Sequence, residues 1–191
     1  MTENSSPTLT PEFVPFPKIA RHSRGCVVTE KIDGTNASIY IADDFTTMLV
    51  GSRTRWITPE DDNYGFARWA QEHREELLKL GPGHHFGEWW GSGIQRRYGL
   101  TEKRFTLFNT GRWGAPDAVL PACVSLVPVL YSGPFDTRWI DDALAMLARE
   151  GSRAAPGFMD PEGIVVYHTA ARQLFKKTIK NDEEPKGAHV G

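Results

Sequence analysis

The sequence predicts an α+β domain built on antiparallel sheets. Three observations lead there. Eight short runs are rich in Val, Ile, Phe, Trp and Thr, the composition of strands. Only two segments carry apolar residues at helical spacing. Strand and helix do not alternate regularly along the chain, as a doubly wound parallel fold requires.

Taken in order, strands are expected over 26–31, 37–42 and 47–53. A helix follows over 64–80, where Phe66, Trp69, Ala70, His73, Leu77 and Leu80 recur on one face. Asp62 or Asn63 can cap its start, and Gly81-Pro82 stops it. Further strands fall at 84–90, 104–109 and 126–131. The second helix spans 137–150, with Ile140, Ala143, Leu144, Leu147 and Ala148 on its apolar face. Asp136 suits its N-cap and Gly151 its C-terminal stop. Strands at 163–168 and 173–179 close the pattern. Residues 1–17, rich in Ser, Thr and Pro, read as an arm, and 18–191 as one domain without internal repeat or linker.

The bulk numbers narrow the function. A chain of 191 residues fills one domain. Its 40% hydrophobic and 24% charged content is that of an ordinary globular protein. A formal net charge of -2 gives no overall attraction for polyanions, so nucleic-acid binding needs a local basic face. The two cysteines, Cys26 and Cys123, have neither metal-ligand spacing nor a disulfide framework, which fits a reducing cytoplasm. No apolar run is long enough for a membrane span, and the first residues lack a signal-peptide pattern. His84 and His85 are adjacent, so on a strand they point apart and cannot share a metal.

The segment EKIDGTN, residues 30–36, poses the chemical question. It sets Lys31 at the end of an apolar strand, then Asp33, Gly34 and Asn36. A buried Lys is costly unless paired or used. Gly34 lets the backbone turn or approach a ligand. A lysine nucleophile attacks only as the free amine, which burial and neighbouring cations favour. Taken alone, the four residues KIDG favour a plainer reading, a Lys–Asp salt bridge ahead of a turn.

The wider chain shifts the balance. KxDG before a strand is similar to the lysine motif of the covalent nucleotidyltransferases: DNA ligases, RNA ligases and mRNA capping enzymes. EKIDGTN most resembles the ATP-dependent RNA ligase branch. Other motifs resembling the family follow in order: GSRTRW (51–56), FGEWWGSGIQRRYGL (86–100), RFTLFNT (104–110), PEGIVVY (161–167) and LFKKTIKND (174–182). The resemblance implies a nucleotidyltransferase (ATP-grasp-like) domain with the nucleotide pocket between its sheets. It implies ATP as substrate and Mg2+ or Mn2+ as cofactor. The RNA partner would carry a 5′-phosphate and a 3′-hydroxyl, or form a nicked duplex.

Site roles follow from the same resemblance. Lys31 would be the nucleophile, with Lys176 and Lys177 as cations on the α-phosphate. The family usually separates its two closing lysines by one residue, so Lys180 competes with Lys177 for the second place. Strand alternation puts Lys176, Thr178 and Lys180 on one face and Lys177 on the other. A solvated edge strand is the plain alternative for this lysine run. Glu88 would hold the ribose hydroxyls, Phe108 would stack on adenine, and Glu162 would ligate the metal. Glu30, Asn36 and Arg53 are implied nucleotide contacts. Arg55, and the Arg96-Arg97 pair beside Tyr98, are candidate RNA contacts. Asp33 reads as a supporting residue. The sequence past residue 182 suggests no OB-fold or helical module, and a separate protein is a candidate source of one. A DNA ligase, a capping enzyme, or a non-catalytic nucleotide- or nucleic-acid-binding module are the alternatives.

Overall fold

The computed structural model describes residues 12–182. Its first sheet has four antiparallel strands in the order β10-β9-β1-β8: β1 Gly25–Lys31, β8 Val129–Pro134, β9 Gly163–His168 and β10 Gln173–Thr178. The second has six, in the order β4-β3-β2-β5-β6-β7. These are β2 Thr35–Ile41, β3 Met48–Gly51, β4 Trp56–Ile57, β5 Gly83–Gly91, β6 Lys103–Leu107 and β7 Val124–Leu126. Every pairing is antiparallel except β6 with β7, which is parallel. The expected α+β class is the observed one.

Each sheet buries one face under a helix. Helix α4, Thr137–Glu150, sets Ile140, Ala143 and Leu147 against Cys26, Val28, Ile164 and Val166 of the four-stranded sheet. The Asp136 carboxylate caps it by accepting from the Arg138 amide. The six-stranded sheet packs Ile39, Trp89 and Phe105 against Phe66 and Ala70 of α1, Phe66–Glu72.

The expected helix 64–80 is in fact three short pieces: α1, α2 (Arg74–Leu77) and a 3-10 turn (Leu78–Leu80). At His73 the backbone leaves the helical region, at φ -105 and ψ 17, and its ring turns back to the Trp69 carbonyl. Asp62 still holds the start, accepting from the Ala67 and Arg68 amides. A short α3, Thr110–Trp113, was not expected; the Asn109 side chain caps it. The expected strand 126–131 is divided between the two sheets as β7 and β8. Pro128 stands between them and has no amide for a ladder; its carbonyl accepts from Glu30 instead.

A third cluster joins the two sheets: Ile32 beyond β1, Trp90 of β5, Tyr98, Val127 and Ala155, all at most 4% exposed. It packs directly beneath the EKIDGTN turn, which carries the chain from one sheet to the other. Of the expected arm, residues 1–11 lie outside the described residues. Phe13, Val14, Phe16 and Ile19 are exposed. No described helix is long and apolar enough to cross a membrane.

Candidate active site

Lys31 ends β1 on the face away from α4. Burial along β1 alternates strictly, with Cys26, Val28 and Glu30 toward the helix and Val27, Thr29 and Lys31 on the other face. The Lys31 ammonium donates to the Glu162 carboxylate at 2.5 Å. Glu162 is 5% exposed and immediately precedes β9. The next residue, Gly163, pairs across the ladders with both Lys31 and Thr178. It has φ 157, and a Cβ there would lie 2.2 Å from the Lys177 carbonyl oxygen. No other residue fits so close an approach.

Glu88 comes from the second sheet, on β5 opposite Asn36 and Thr106. It accepts the Gly34 amide at 3.0 Å and the Asn36 side-chain amide at 3.4 Å. A Cβ on Gly34 would fall 2.5 Å from the Trp89 carbonyl oxygen, so glycine is what lets the turn press against β5. Burial pushes the Glu88 carboxyl up to about 7; nearby Lys31 and the Gly34 amide oppose this, and Glu162 and Asp33 add to it. Glu88 therefore feels Lys31, Glu162 and Asp33 electrostatically across the junction of the two sheets.

The turn is held from outside as well. The Asp33 amide donates to the Tyr98 hydroxyl at 2.7 Å, and Tyr98 is 2% exposed, with its own proton held more tightly by burial. Arg96 donates to the Asp33 carboxylate at 3.1 Å and to Asp160 at 2.6 Å. Lys180 also meets Asp160, at 2.8 Å.

Several expected contacts sit elsewhere. Glu30 points toward α4, away from Lys31, and spends its carboxylate on Ser152 Oγ and the Arg153 and Ala154 amides at 2.5, 2.8 and 2.9 Å. It fastens the loop after α4 and offers nothing to a nucleotide beside Lys31. Lys177 shares that α4-side face and pairs with Asp141 of the helix at 2.6 Å. Lys176 pairs with Val165, which pairs with Thr29, so it is exposed on the Lys31 face. Arg96 is committed to two acids and Tyr98 to the core, so the expected stacking loop reduces to exposed Arg97. Arg55 pairs with Asp61. Arg53 is exposed on the turn between β3 and β4. Phe108 follows β6; its amide donates to the Phe86 carbonyl, and alternation past buried Leu107 sets it on the Glu88 face, 40% exposed. Sequence reasoning missed the Tyr98 and Arg96 supports. Their partner Asp33 lies 65 and 63 residues away, and no local pattern signals such a contact.

Among the described residues no three His, Cys, Asp or Glu side chains gather as a metal cage. Glu162, a buried carboxylate, suits a hard cation that keeps waters and completes its shell with phosphate oxygens. A hollow of about 410 Å3, lined by Phe135, Ile140 and Phe175 and bordered by Lys176 on the edge strand, takes in the α4 side of the first sheet. It lies apart from the Lys31–Glu88–Glu162 cluster.

The sequence matches the RNA ligase family over residues 24–180, most of its length. The chain belongs to the RNA ligase family. Solved structures with the same fold include variants of Naegleria gruberi RNA ligase. One, with AMP and Mn, is 19% identical, with a TM-score of 0.59 over 82% of this chain and 50% of the other. Another, with ATP and Mn, is 21% identical, with a TM-score of 0.59 over the same shares, 82% and 50%. This RNA ligase family chain thus spans about half the length of those proteins. Among curated proteins no match was found.

Proposed function

We propose that this chain is an ATP-dependent RNA ligase acting through a lysyl-AMP on Lys31. One observation carries the reading: Lys31 meets Glu162 from its own sheet and lies within electrostatic reach of Glu88 from the other, where two sheets close on a glycine turn. Membership of the RNA ligase family supports it. So do the relatives solved with ATP or AMP and Mn.

Lys31 Nζ attacks the α-phosphorus of ATP. The N–P bond forms, the bond to the β-phosphate oxygen breaks, pyrophosphate leaves, and the amine gives up a proton. An oxygen of an RNA 5′-phosphate then takes the AMP and returns the amine to Lys31. A 3′-hydroxyl attacks that 5′-phosphorus, expels AMP and leaves a phosphodiester. Charge stays on phosphate oxygens throughout, so positioning and cationic stabilisation carry the catalysis.

Glu88 receives the ribose hydroxyls and Phe108 underlies the adenine. Lys176, on the Lys31 face, neutralises the α-phosphate. A divalent cation held by Glu162 would neutralise phosphate charge and draw that carboxylate away from Lys31. With Glu162 so engaged, the Lys31 amine would be released from its hydrogen bond and could turn toward the α-phosphorus.

Incubation with α-labelled ATP and Mg2+ should label the wild-type protein through an acid-labile N–P bond, and Lys31→Ala should stay unlabelled. Label that persists in the variant, or none with any nucleotide, overturns the reading. A non-catalytic module would bind ATP without the mass increment of AMP.

A further inference from the structure

The face of the six-stranded sheet that carries Glu88 continues well past it. On β5, Glu88, Phe86 and His84 alternate on one side, directly opposite Asn36, Ser38 and Tyr40 of β2. Trp56 of β4 joins them from the far edge. The other side of the same strands is closed: Ile39 and Ile41 are 0% and Trp89 2% exposed. The Glu88 side is open, with Phe86 at 59% and Trp56 at 49% exposure.

Four rings form one patch there. Tyr40 and His84 lie 4.7 Å apart between centroids. Trp56 and His84 are 6.2 Å apart and 23° from parallel, and His84 and Phe86 are 5.8 Å apart and 8° from parallel. The solvent side of an antiparallel sheet is ordinarily polar. Single exposed aromatics need no explanation, but a contiguous patch marks a binding surface. Trp56, His84 and Phe86 are near-parallel, while Tyr40 is tilted 41° from His84 and borders them; such exposed rings are the platform on which unpaired bases stack regardless of sequence. Cations flank it. Arg53 and Arg55 lie just before Trp56; Arg55 is paired with Asp61, and Arg53 is exposed and in no ion pair among the described residues.

The patch is also continuous with the cluster proposed to hold the nucleotide. Phe86 is two residues from Glu88 on the same face, roughly 7 Å along the strand. A strand whose 5′-phosphate reaches Lys31 would lay its next bases here. In a duplex, paired bases hide their faces, so the platform suits a single strand.

We propose that Trp56, Tyr40, His84 and Phe86 form a stacking track for unpaired bases of the RNA strand being joined. The proposal rests on the ligase reading for the identity of the strand. The probe is a short fluorescent 5′-phosphorylated oligouridylate, titrated against the full chain by anisotropy. Trp56→Leu and Tyr40→Leu should each weaken binding about fivefold or more, the effect of one lost base–ring stack. Trp56→Phe and Tyr40→Phe should bind near the wild-type level, since they keep a ring. A thiouridine version of the probe should cross-link to peptides containing Trp56 or residues 84–86, which holds even if a leucine variant fails to fold.

Leucine variants that bind as well as wild type, or cross-links that map elsewhere, overturn the track. So does dimerisation that Trp56→Leu disperses with RNA affinity unchanged, which would make the patch a contact between copies. The two readings fail separately. AMP on Lys31 with ring-independent RNA binding sinks the track alone. Ring-dependent RNA binding with no AMP sinks the ligase reading alone.

Discussion

Glu88 combines the cluster's two demands in one side chain: it must accept hydrogen bonds and it is almost fully enclosed. Burial raises its carboxyl from 4.5 to about 7. Between those values the folded chain keeps a proton that the unfolded chain has released. The stability this group contributes is therefore full below pH 4.5 and is lost as pH rises toward 7. Glu88→Gln removes the titration yet can still accept the Gly34 amide. Thermal melts should show a stability gain over wild type that grows between pH 4.5 and 7 and levels off above. Self-adenylation should fall at every pH, because the amide replaces one acceptor oxygen with a donor. A gain that is the same at all pH values would contradict the burial argument. Lys31, Glu88 and Glu162 were legible in the sequence because each belongs to a motif a few residues long. The three donors to Glu30 were not, since they lie 122 to 124 residues away.

Strand β10 carries a sharper contrast. Lys176 and Lys177 are neighbours in sequence, yet the ladder with β9 turns one to the Lys31 face and the other to α4. Lys177→Ala should retain near wild-type self-adenylation. It should cost less than about 1 kcal/mol in stability, because its pair with Asp141 is half exposed. Lys176→Ala should lose most of the adenylation with little change in melting. Equal losses in the two variants would contradict the face assignment. Alternation alone separates the two lysines in sequence; only the pairing register says which shares the face of Lys31. The same limit explains β4. Two residues, Trp56 and Ile57, inside a polar stretch make no recognisable period, and only pairing with β3 reveals a strand.

At the level of the whole molecule, the EKIDGTN turn carries the chain from one sheet to the other. Tyr98 and Arg96 brace it from a loop that follows β5, and Arg96 ties it onward to Asp160 and so to Lys180. Tyr98→Phe leaves the Asp33 amide without its acceptor, a loss of about 1 to 3 kcal/mol. For a chain of this size each kcal/mol is roughly 2–4 °C of melting temperature. Arg96→Ala should lower Tm similarly and leave Asp33 and Asp160 without a shared cation. Both variants should lose self-adenylation more steeply than a Lys79→Ala control, whose pair with Glu76 lies on the surface. Unchanged labelling in either would show that the turn keeps its geometry unaided. The packing of Trp90 and Tyr98 beneath this joint was not legible: the sequence sets Tyr98 in a basic-aromatic loop read as an RNA contact, and its core partners lie far along the chain.

The contact between Lys31 and Glu162 has a consequence for the resting protein. The Lys31 side chain is only 19% exposed and its amine is engaged by a buried carboxylate, so stray acylating and carbamoylating agents have little access to it. The resting chain thus keeps this amine sheathed. Acetic anhydride should modify exposed Lys176 well before Lys31, and Glu162→Gln should narrow that gap.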